Sequence, residues 1–141
     1  MGCRVRREAA FIEVCGRPLR ALDVDMKTMP DSVQTLAVVA AFAEGSTRIS
    51  GIRHLRHKET DRLAALKQEL EKLGIQTTGG DDFLEVRGGD PQGAEIETYG
   101  DHRMAMAFAV AGLRVPNMVI RDPDCVNKSF PAFWDLLEGL A

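Results

Sequence analysis

Two halves of the amino-acid sequence resemble each other, which sharply limits the folds open to the chain. Four residues recur 72 positions later in like form: Gly2 as Gly74, Phe11 as Phe83, Val14 as Val86 and Val24 as Ile96. Two others recur 70 positions later, Asp31 as Asp101 and Lys58 as Lys128. A repeated unit of this size usually cannot cover its own apolar face and stacks on its neighbour. We therefore expect internal repeats at approximately 1–73 and 74–141, packed around one core.

Within each half the pattern predicts three short strands, a helix, a fourth strand and a second helix. Alternating segments bounded by Gly, Pro and Asp indicate the strands, and the whole is typical of the α/β class. The first helix of each half, VQTLAVVAAF from Val33 and MAMAFAVAG from Met104, is apolar on nearly every side, which predicts burial all round. The second helix of the first half carries an apolar stripe of Leu63, Leu66, Leu70 and Leu73.

Charged residues are concentrated at the predicted helix starts. Asp31 followed by Gln34 is a capping-box pattern, and Asp101 is a predicted N-cap. If the two apolar helices run parallel, their N-termini share one face, where free amides and helix dipoles favour anions. The cations expected on that face are Lys58, Arg62, Arg103 and Lys128. The groups expected there for proton transfer are Asp31, Glu59, Asp101 and His102.

Simpler interpretations of the same residues stay open at this point. Asp31 and Asp101 could be helix caps alone, worth about 1 kcal/mol each. The segment from Lys58 to Arg62 could be a solvated helix surface with pairs such as Lys58–Asp61 and Glu59–Arg62. His102 could be a structural hydrogen-bonding residue, and Tyr99 a core residue.

Composition excludes several classes of function. The net charge of −3 provides no basic field for nucleic acid or an anionic membrane. Three widely spaced cysteines without a CxxC pair suggest neither a zinc site nor a disulfide framework, and we predict no metal site. Since no apolar run is long enough for a signal peptide or for the ~20 residues of a membrane span, we expect a cytoplasmic protein.

Four motifs, in order and spacing, resemble the 5-enolpyruvylshikimate-3-phosphate (EPSP) synthase family. They are Met29-Pro30-Asp31, then His57 to Arg62 (HKETDR), then Tyr99 to Met106 (YGDHRMAM), and finally Asp122 to Pro131 (DPDCVNKSFP). The resemblance implies an enolpyruvyl transferase-like inside-out barrel, with buried parallel helices inside and mixed sheets outside. It also implies transfer of the enolpyruvyl (carboxyvinyl) group from phosphoenolpyruvate to shikimate 3-phosphate, on the way to chorismate and aromatic amino acids, without a cofactor.

The resemblance also implies roles for single residues. Asp31 would contact the reacting hydroxyl of shikimate 3-phosphate, and Glu59 would act as its acid/base partner. Lys58 would contact the same substrate. Phosphoenolpyruvate would be held by Arg62, Arg103 and Lys128. Supporting roles are open for Asp101 and His102, and for His54, which stands where some members of the family have an asparagine.

The family enzyme is longer than this chain, with two domains of three strand-and-helix units each. By resemblance, residues 1–141 form a partial C-terminal domain that holds two of three units. We therefore expect little or no activity alone, and either a complementary N-terminal chain or self-association as partner. Two alternatives are a non-catalytic assembly module with an anion-binding face, and the related transferase that acts on UDP-N-acetylglucosamine, against which the second and third motifs argue.

Overall fold

The computed structural model describes residues 1–16 and 18–140, so that Arg17 and Ala141 lie outside the described part. The first half contains β1 (Arg4–Arg7), β2 (Ile12–Cys15), β3 (Asp23–Asp25), α1 (Val33–Ala40), β4 (Ser46–Ser50) and α2 (Arg62–Lys72). The second half contains β5 (Thr77–Gly79), β6 (Phe83–Arg87), β7 (Glu95–Ile96), α3 (His102–Gly112), β8 (Val119–Ile120) and α4 (Phe133–Glu138). Short 3-10 helices occupy Pro30–Ser32, Arg53–His57 and Pro123–Lys128. The predicted order of strands and helices is confirmed.

The strands form mixed sheets, as the α/β prediction requires. β1 and β2 make an antiparallel hairpin, and a four-stranded sheet has the order β3-β4-β6-β5. In that sheet β3 and β4 are parallel, while β6 is antiparallel to both β4 and β5. β7 and β8 form a parallel pair. Because a parallel pair needs a crossover connection, α1 joins β3 to β4 and α3 joins β7 to β8.

The two crossover helices lie side by side and run parallel. At their N-terminal ends Asp31 and Arg103 form an ion pair, with 3.0 Å between a carboxylate oxygen and Nη2. At their C-terminal ends the guanidinium of Arg114 lies 5.8 Å from the ring centre of Phe42. Both N-termini therefore emerge on the same face of the molecule, as the sequence predicted.

The apolar core lies between these helices and the four-stranded sheet. Its buried members include Ala37, Ile49, Leu66, Leu84 and Phe108. The predicted leucine stripe of α2 is confirmed, since all four of its leucines are buried.

Burial of α1 and α3 on all sides was a wrong prediction. Thr35 and Val110 are exposed, and Leu36, Val39 and Phe42 are only partly buried. Four of these residues, Thr35, Val39, Phe42 and Val110, line an apolar groove along the two helices with a volume of about 270 Å³. Within residues 1–16 and 18–140 the sheets cover one side of the helix pair and leave this side open to solvent.

Two helix starts also differ from the prediction. Instead of beginning near Lys58, α2 begins at Arg62, because the side chain of Asp61 caps it by accepting from the amide of Ala64 at 3.0 Å. Lys128 ends a 3-10 helix, and α4 begins only at Phe133. Pro131 accounts for this delay, since the residue before a proline is disfavoured in helical conformation.

Candidate active site

Arg62, the first residue of α2, lies at the centre of a cluster of charged side chains. Its guanidinium is almost fully buried, and Nε donates to Asp101 Oδ2 at 2.6 Å while Nη2 reaches Oδ1 at 3.3 Å. Nη2 also donates to Glu59 at 2.9 Å, and Nη1 lies 3.6 Å from a carboxylate oxygen of Asp31. The guanidinium thus has a carboxylate on each side. Such geometry fixes its plane, because two parallel N–H bonds to Asp101 allow one orientation.

Asp101 has a second function at the start of α3. Its side chain is fully buried and accepts from the backbone amide of Arg103 at 2.9 Å, which confirms the predicted N-cap. The same carboxylate therefore caps the N-terminus of α3 and orients Arg62.

Asp31 does not form the predicted capping box. It lies in the 3-10 helix before α1, and neither Met29 nor Ser32, which occupy the two N-cap positions, makes a side-chain cap. Gln34 is fully buried, and its amide has no hydrogen-bond partner among the described residues. The Asp31 carboxylate points to Arg103 instead, and Arg103 also donates to the Asp31 carbonyl at 3.1 Å. With its side chain 58% exposed, Asp31 is available to a ligand.

Glu59 joins α2 to the end of the last 3-10 helix. One oxygen binds Arg62 and the other lies 3.5 Å from Nζ of Lys128. A hydrogen bond from its own backbone amide, together with these two cations, lowers the pKa of the Glu59 carboxyl against the opposing effect of partial burial. Glu59 is therefore ionised near neutral pH and able to accept a proton.

The remaining predicted residues lie outside these ion pairs. Lys58 and His54 are exposed, and neither side chain has a hydrogen bond or ion pair with another described residue. His102 is buried at the first turn of α3, and its Nδ1 has no partner in the part of the chain that the structure describes. The site that forms therefore contains Asp31, Glu59, Arg62, Asp101, Arg103 and Lys128.

Arg56 positions the loop that carries Glu59. Its guanidinium donates to Asp61 at 2.9 Å and to the carbonyl of Gly80 at 2.8 Å. The N-cap of α2 is thereby attached to the turn between β5 and β6. Residues 57–62 are therefore held at both ends, before them by Arg56 on Gly80 and at their end by Arg62 on Asp101.

Sequence reasoning missed Glu69. This carboxylate is fully buried on α2, between Leu66 and Leu70, and accepts from the hydroxyl of Tyr99 at 2.7 Å. A charged residue inside an apolar helical stripe was the available signal.

The cluster combines three cations with three carboxylates, so its formal charge is balanced. An incoming anion would have to compete with Asp31 and Glu59 for Arg103 and Lys128, which are the more exposed cations. The arrangement can hold an anion and exchange protons beside it. No group of three or more His, Cys, Asp or Glu side chains among residues 1–16 and 18–140 is placed to hold a metal ion. The described helices include none that is both long and apolar enough to cross a membrane.

Comparison with known proteins identifies similar sequences over almost the whole chain. Residues 1–137 match the family model for EPSP synthase (3-phosphoshikimate 1-carboxyvinyltransferase). A 3-phosphoshikimate 1-carboxyvinyltransferase of Nostoc punctiforme is 47% identical over 95% of this chain and 32% of its own length. One of Syntrophobacter fumaroxidans is 50% identical over 99% of this chain and 34% of its own length. The chain thus spans about a third of the curated relatives it matches.

Solved structures show the same fold. An EPSP synthase from Acinetobacter baumannii superposes with a TM-score of 0.85 at 30% identity, covering 97% of this chain and 35% of its own. The enolpyruvyl transferase NikO from Streptomyces tendae superposes with a TM-score of 0.81 at 28% identity, covering the whole of this chain and 33% of its own. The structure is therefore a partial domain of the enolpyruvyl transferase fold.

Proposed function

Because the chain belongs to the EPSP synthase (3-phosphoshikimate 1-carboxyvinyltransferase) family, we propose that it supplies one wall of an active site that transfers the carboxyvinyl group of phosphoenolpyruvate to shikimate 3-phosphate. Phosphate is the other product. The chain spans about a third of its curated relatives, so the activity would belong to an assembly that includes the rest of the enzyme. The related transferase that acts on UDP-N-acetylglucosamine has less support, because the names of the curated relatives specify 3-phosphoshikimate.

One observation carries this proposal: the convergence of three cations and three carboxylates on the face where α1 and α3 begin. Phosphoenolpyruvate bears a carboxylate and a phosphate, which match Arg103 and Lys128, with Arg62 behind them. Arginine binds such groups through two parallel hydrogen bonds. Lys58, exposed beside Glu59, would contact the second anionic substrate.

The reaction requires a proton to be delivered and then removed. A proton adds to the methylene carbon of phosphoenolpyruvate, the substrate hydroxyl attacks the neighbouring carbon and loses its proton, and a tetrahedral ketal forms. Loss of a methyl proton and departure of phosphate then regenerate the double bond. Asp31 would accept the hydroxyl proton, and Glu59, next to Lys128, would exchange the carbon-bound proton. Cations around the leaving phosphate would stabilise its charge.

Glu59 must carry a proton at one stage and none at the other. In the free chain the hydrogen bond from its own backbone amide, and then Arg62 and Lys128, lower its pKa. A bound phosphoenolpyruvate would neutralise these cations and raise the pKa again, which favours the protonated form at the moment a proton is needed.

We further propose that the chain is the C-terminal portion of a longer enzyme, divided near Leu73 into two of the three units of its domain. The exposed apolar side chains support a missing neighbour. Phe11, Ile12 and Val14 of the β1–β2 hairpin are exposed, and so is Val110 in the groove along α1 and α3. Since an isolated two-stranded hairpin is at best marginally stable in water, a further part of the assembly would cover it. A cytoplasmic location is part of the same proposal.

Mixing this chain with the part of the Syntrophobacter fumaroxidans relative that it does not match tests the proposal. Phosphate release from phosphoenolpyruvate and shikimate 3-phosphate should appear only in the mixture. Asp31→Asn and Glu59→Gln should each reduce it by about 100-fold or more, the usual contribution of a positioned acid or base. Glu71→Gln, an exposed change on α2, is the matched control.

Binding of the two parts without phosphate release would contradict the catalytic proposal. It would instead support the second candidate, an assembly module, which the exposed apolar hairpin and groove favour. An equal loss of activity in Glu71→Gln and Glu59→Gln would contradict the role given to Glu59.

A further inference from the structure

Helix α2 is attached to the segment before α3 at two places, two helical turns apart. At its start Arg62 binds Asp101. Farther along, the buried Glu69 accepts from the backbone amide of Glu97 at 3.0 Å and from the hydroxyl of Tyr99 at 2.7 Å. Both contacts lie on the buried face of α2, so residues 97–101 are held along the helix.

The backbone between these two contacts is strained. The amide of Asp101 donates to the carbonyl of Thr98 at 2.9 Å, closing a four-residue turn. Both central residues have positive φ, 56° for Tyr99 and 66° for Gly100. Glycine adopts this conformation readily, whereas a side chain as large as tyrosine rarely does. A contact outside the turn must therefore hold Tyr99 there.

The Glu69 carboxylate provides that contact. Besides the two bonds from residues 97 and 99, it accepts from Nζ of Lys72 at 2.7 Å, so that its charge is compensated although it is fully buried. Burial and the hydrogen bond to this carboxylate raise the pKa of Tyr99 far above its ordinary range. The phenol therefore remains a proton donor to Glu69 at every pH of interest.

We propose that Glu69 and Tyr99 are positioning residues for the anion site: their hydrogen bond holds the 98–101 turn so that Asp101 meets Arg62 through two parallel bonds. Arg62 in turn keeps Nη1 directed at Asp31, toward the face proposed for phosphoenolpyruvate. The effect of these two residues on phosphoenolpyruvate binding rests on the proposed function. Their role in positioning Arg62 can be measured without activity.

The positioning role predicts how fast the Nε proton of Arg62 exchanges with solvent. In the unsubstituted chain this proton is buried and hydrogen-bonded to Asp101, so it should exchange slowly. Tyr99→Phe and Glu69→Gln should each accelerate its exchange by about tenfold or more, the expected loss for a hydrogen bond to a charged group. The backbone amides of Leu66 and Leu70 in the same helix should change much less, because the helix itself stays folded.

Two controls and one rescue make the result specific. Thr77→Val removes the other hydroxyl-to-carboxylate bond of α2, to Glu71 at 3.0 Å, and should leave Arg62 exchange unchanged, as should Glu71→Gln. Tyr99→Asn should restore slow exchange, since asparagine tolerates positive φ better than most residues. Equal acceleration at Leu66 and Arg62, or an asparagine variant as fast as Tyr99→Phe, would overturn the proposal in favour of a purely structural bond.

Kinetics of the completed enzyme test the catalytic part. Tyr99→Phe should raise KM for phosphoenolpyruvate by about tenfold while leaving KM for shikimate 3-phosphate unchanged, because Arg62 is assigned to phosphoenolpyruvate, and Lys58 and Asp31 to shikimate 3-phosphate. Equal changes for both substrates would contradict a role in the anion site. If the wild-type assembly releases no phosphate, the proposed function fails, whereas the exchange result for Arg62 still decides the positioning role. Tyr99→Phe keeps the test available if Glu69→Gln does not fold.

Discussion

At Arg62 the chain buries a guanidinium between carboxylates, a placement that is stable only while the partners remain. Asp101→Asn keeps the shape and the N-cap acceptor of the side chain but removes its charge. We expect this change to lower the free energy of unfolding by about 3 kcal/mol, the usual cost of breaking a buried pair. Urea unfolding of the two proteins measures the difference.

The surface pair of Glu95 and Arg121 is the matched control. It has the same 2.6 Å distance to Nε, but both side chains are more than half exposed. Glu95→Gln should therefore lower the free energy of unfolding much less than Asp101→Asn does, because solvent screens an exposed pair. If both variants lost the same free energy of unfolding, burial of the Arg62–Asp101 pair would make no difference to its effect on stability.

Glu59 gives a second prediction at this scale, on its titration. Because Lys128 is one of the groups that lower the pKa of Glu59, Lys128→Met should raise that pKa part of the way back to its ordinary value of 4.5. Carboxyl NMR measures it directly. Lys67 forms an exposed pair with Glu71, so Lys67→Met should leave the pKa of Glu59 unchanged. A change in the Glu59 pKa in this control would contradict a local effect of Lys128.

The same lowered pKa has a consequence for stability. The unfolded chain binds a proton at Glu59 more readily than the folded chain does, so the stabilisation is complete above pH 4.5 and is lost as the pH falls through the folded pKa. Acid unfolding of Glu59→Gln should therefore lack this part of the pH dependence. A slope equal to that of the wild type below pH 4.5 would contradict this assignment.

At the scale of elements, one glycine permits the end of β6 to cross the end of α1. A Cβ built on Gly88 would lie 1.7 Å from the carbonyl oxygen of Ala43, whereas one on Gly89 would make an ordinary contact with Ile75 at 3.6 Å. Gly88→Ala should then lower the free energy of unfolding by about 3 kcal/mol, since the backbone must shift to relieve the clash. Thermal unfolding of Gly88→Ala and of the control Gly89→Ala measures the difference in stability. Similar unfolding midpoints for the two variants would contradict the close approach of Gly88 to Ala43.

Much of the element order was predictable from the sequence, because it depends on local patterns. Alternation gave the strands, and the leucines at 63, 66, 70 and 73 gave the buried face of α2. Asp101 was recognised as a cap because its side chain binds an amide two residues away. What depends on distant partners was missed or misassigned. Asp31 looks like a cap but pairs with Arg103, 72 positions later, and the bond between Glu69 and Tyr99 joins residues 30 positions apart.

The site was predictable in part for the same reason. The sequence named Arg62, Glu59 and Asp31 as members of one charged face, and the structure places them within ion-pair distance. The three-residue spacing also indicated the Glu59–Arg62 pair, but no local pattern indicated that Asp31 and Asp101 contact Arg62 as well, since both lie far from it in the sequence. Their roles toward substrates stay predictions until the completed enzyme is assayed.

At the scale of the whole molecule, we predict that the proposed complementary part attaches in the groove along α1 and α3. Val110→Lys places a charge in this groove, and we expect it to raise the concentration of the complementary part needed for half-maximal phosphate release by about tenfold, the effect of losing one important interface residue. Val119, on β8, is exposed to a similar extent, 49% against 52%, so Val119→Lys is the control. The same response in both variants would place the interface elsewhere.

The pairing of β4 with β6 also sets an order of events during synthesis. β4 belongs to the first half, yet Ser46 pairs with Arg87 and Ser50 with Phe83 in the second. When the first half has emerged from the ribosome, one edge of β4 is therefore unpaired. That edge stays unpaired until β6, which ends at Arg87, has also emerged. The halves cannot mature one after the other: the nascent chain must keep an exposed strand edge free of wrong partners, a hazard that chaperones counter.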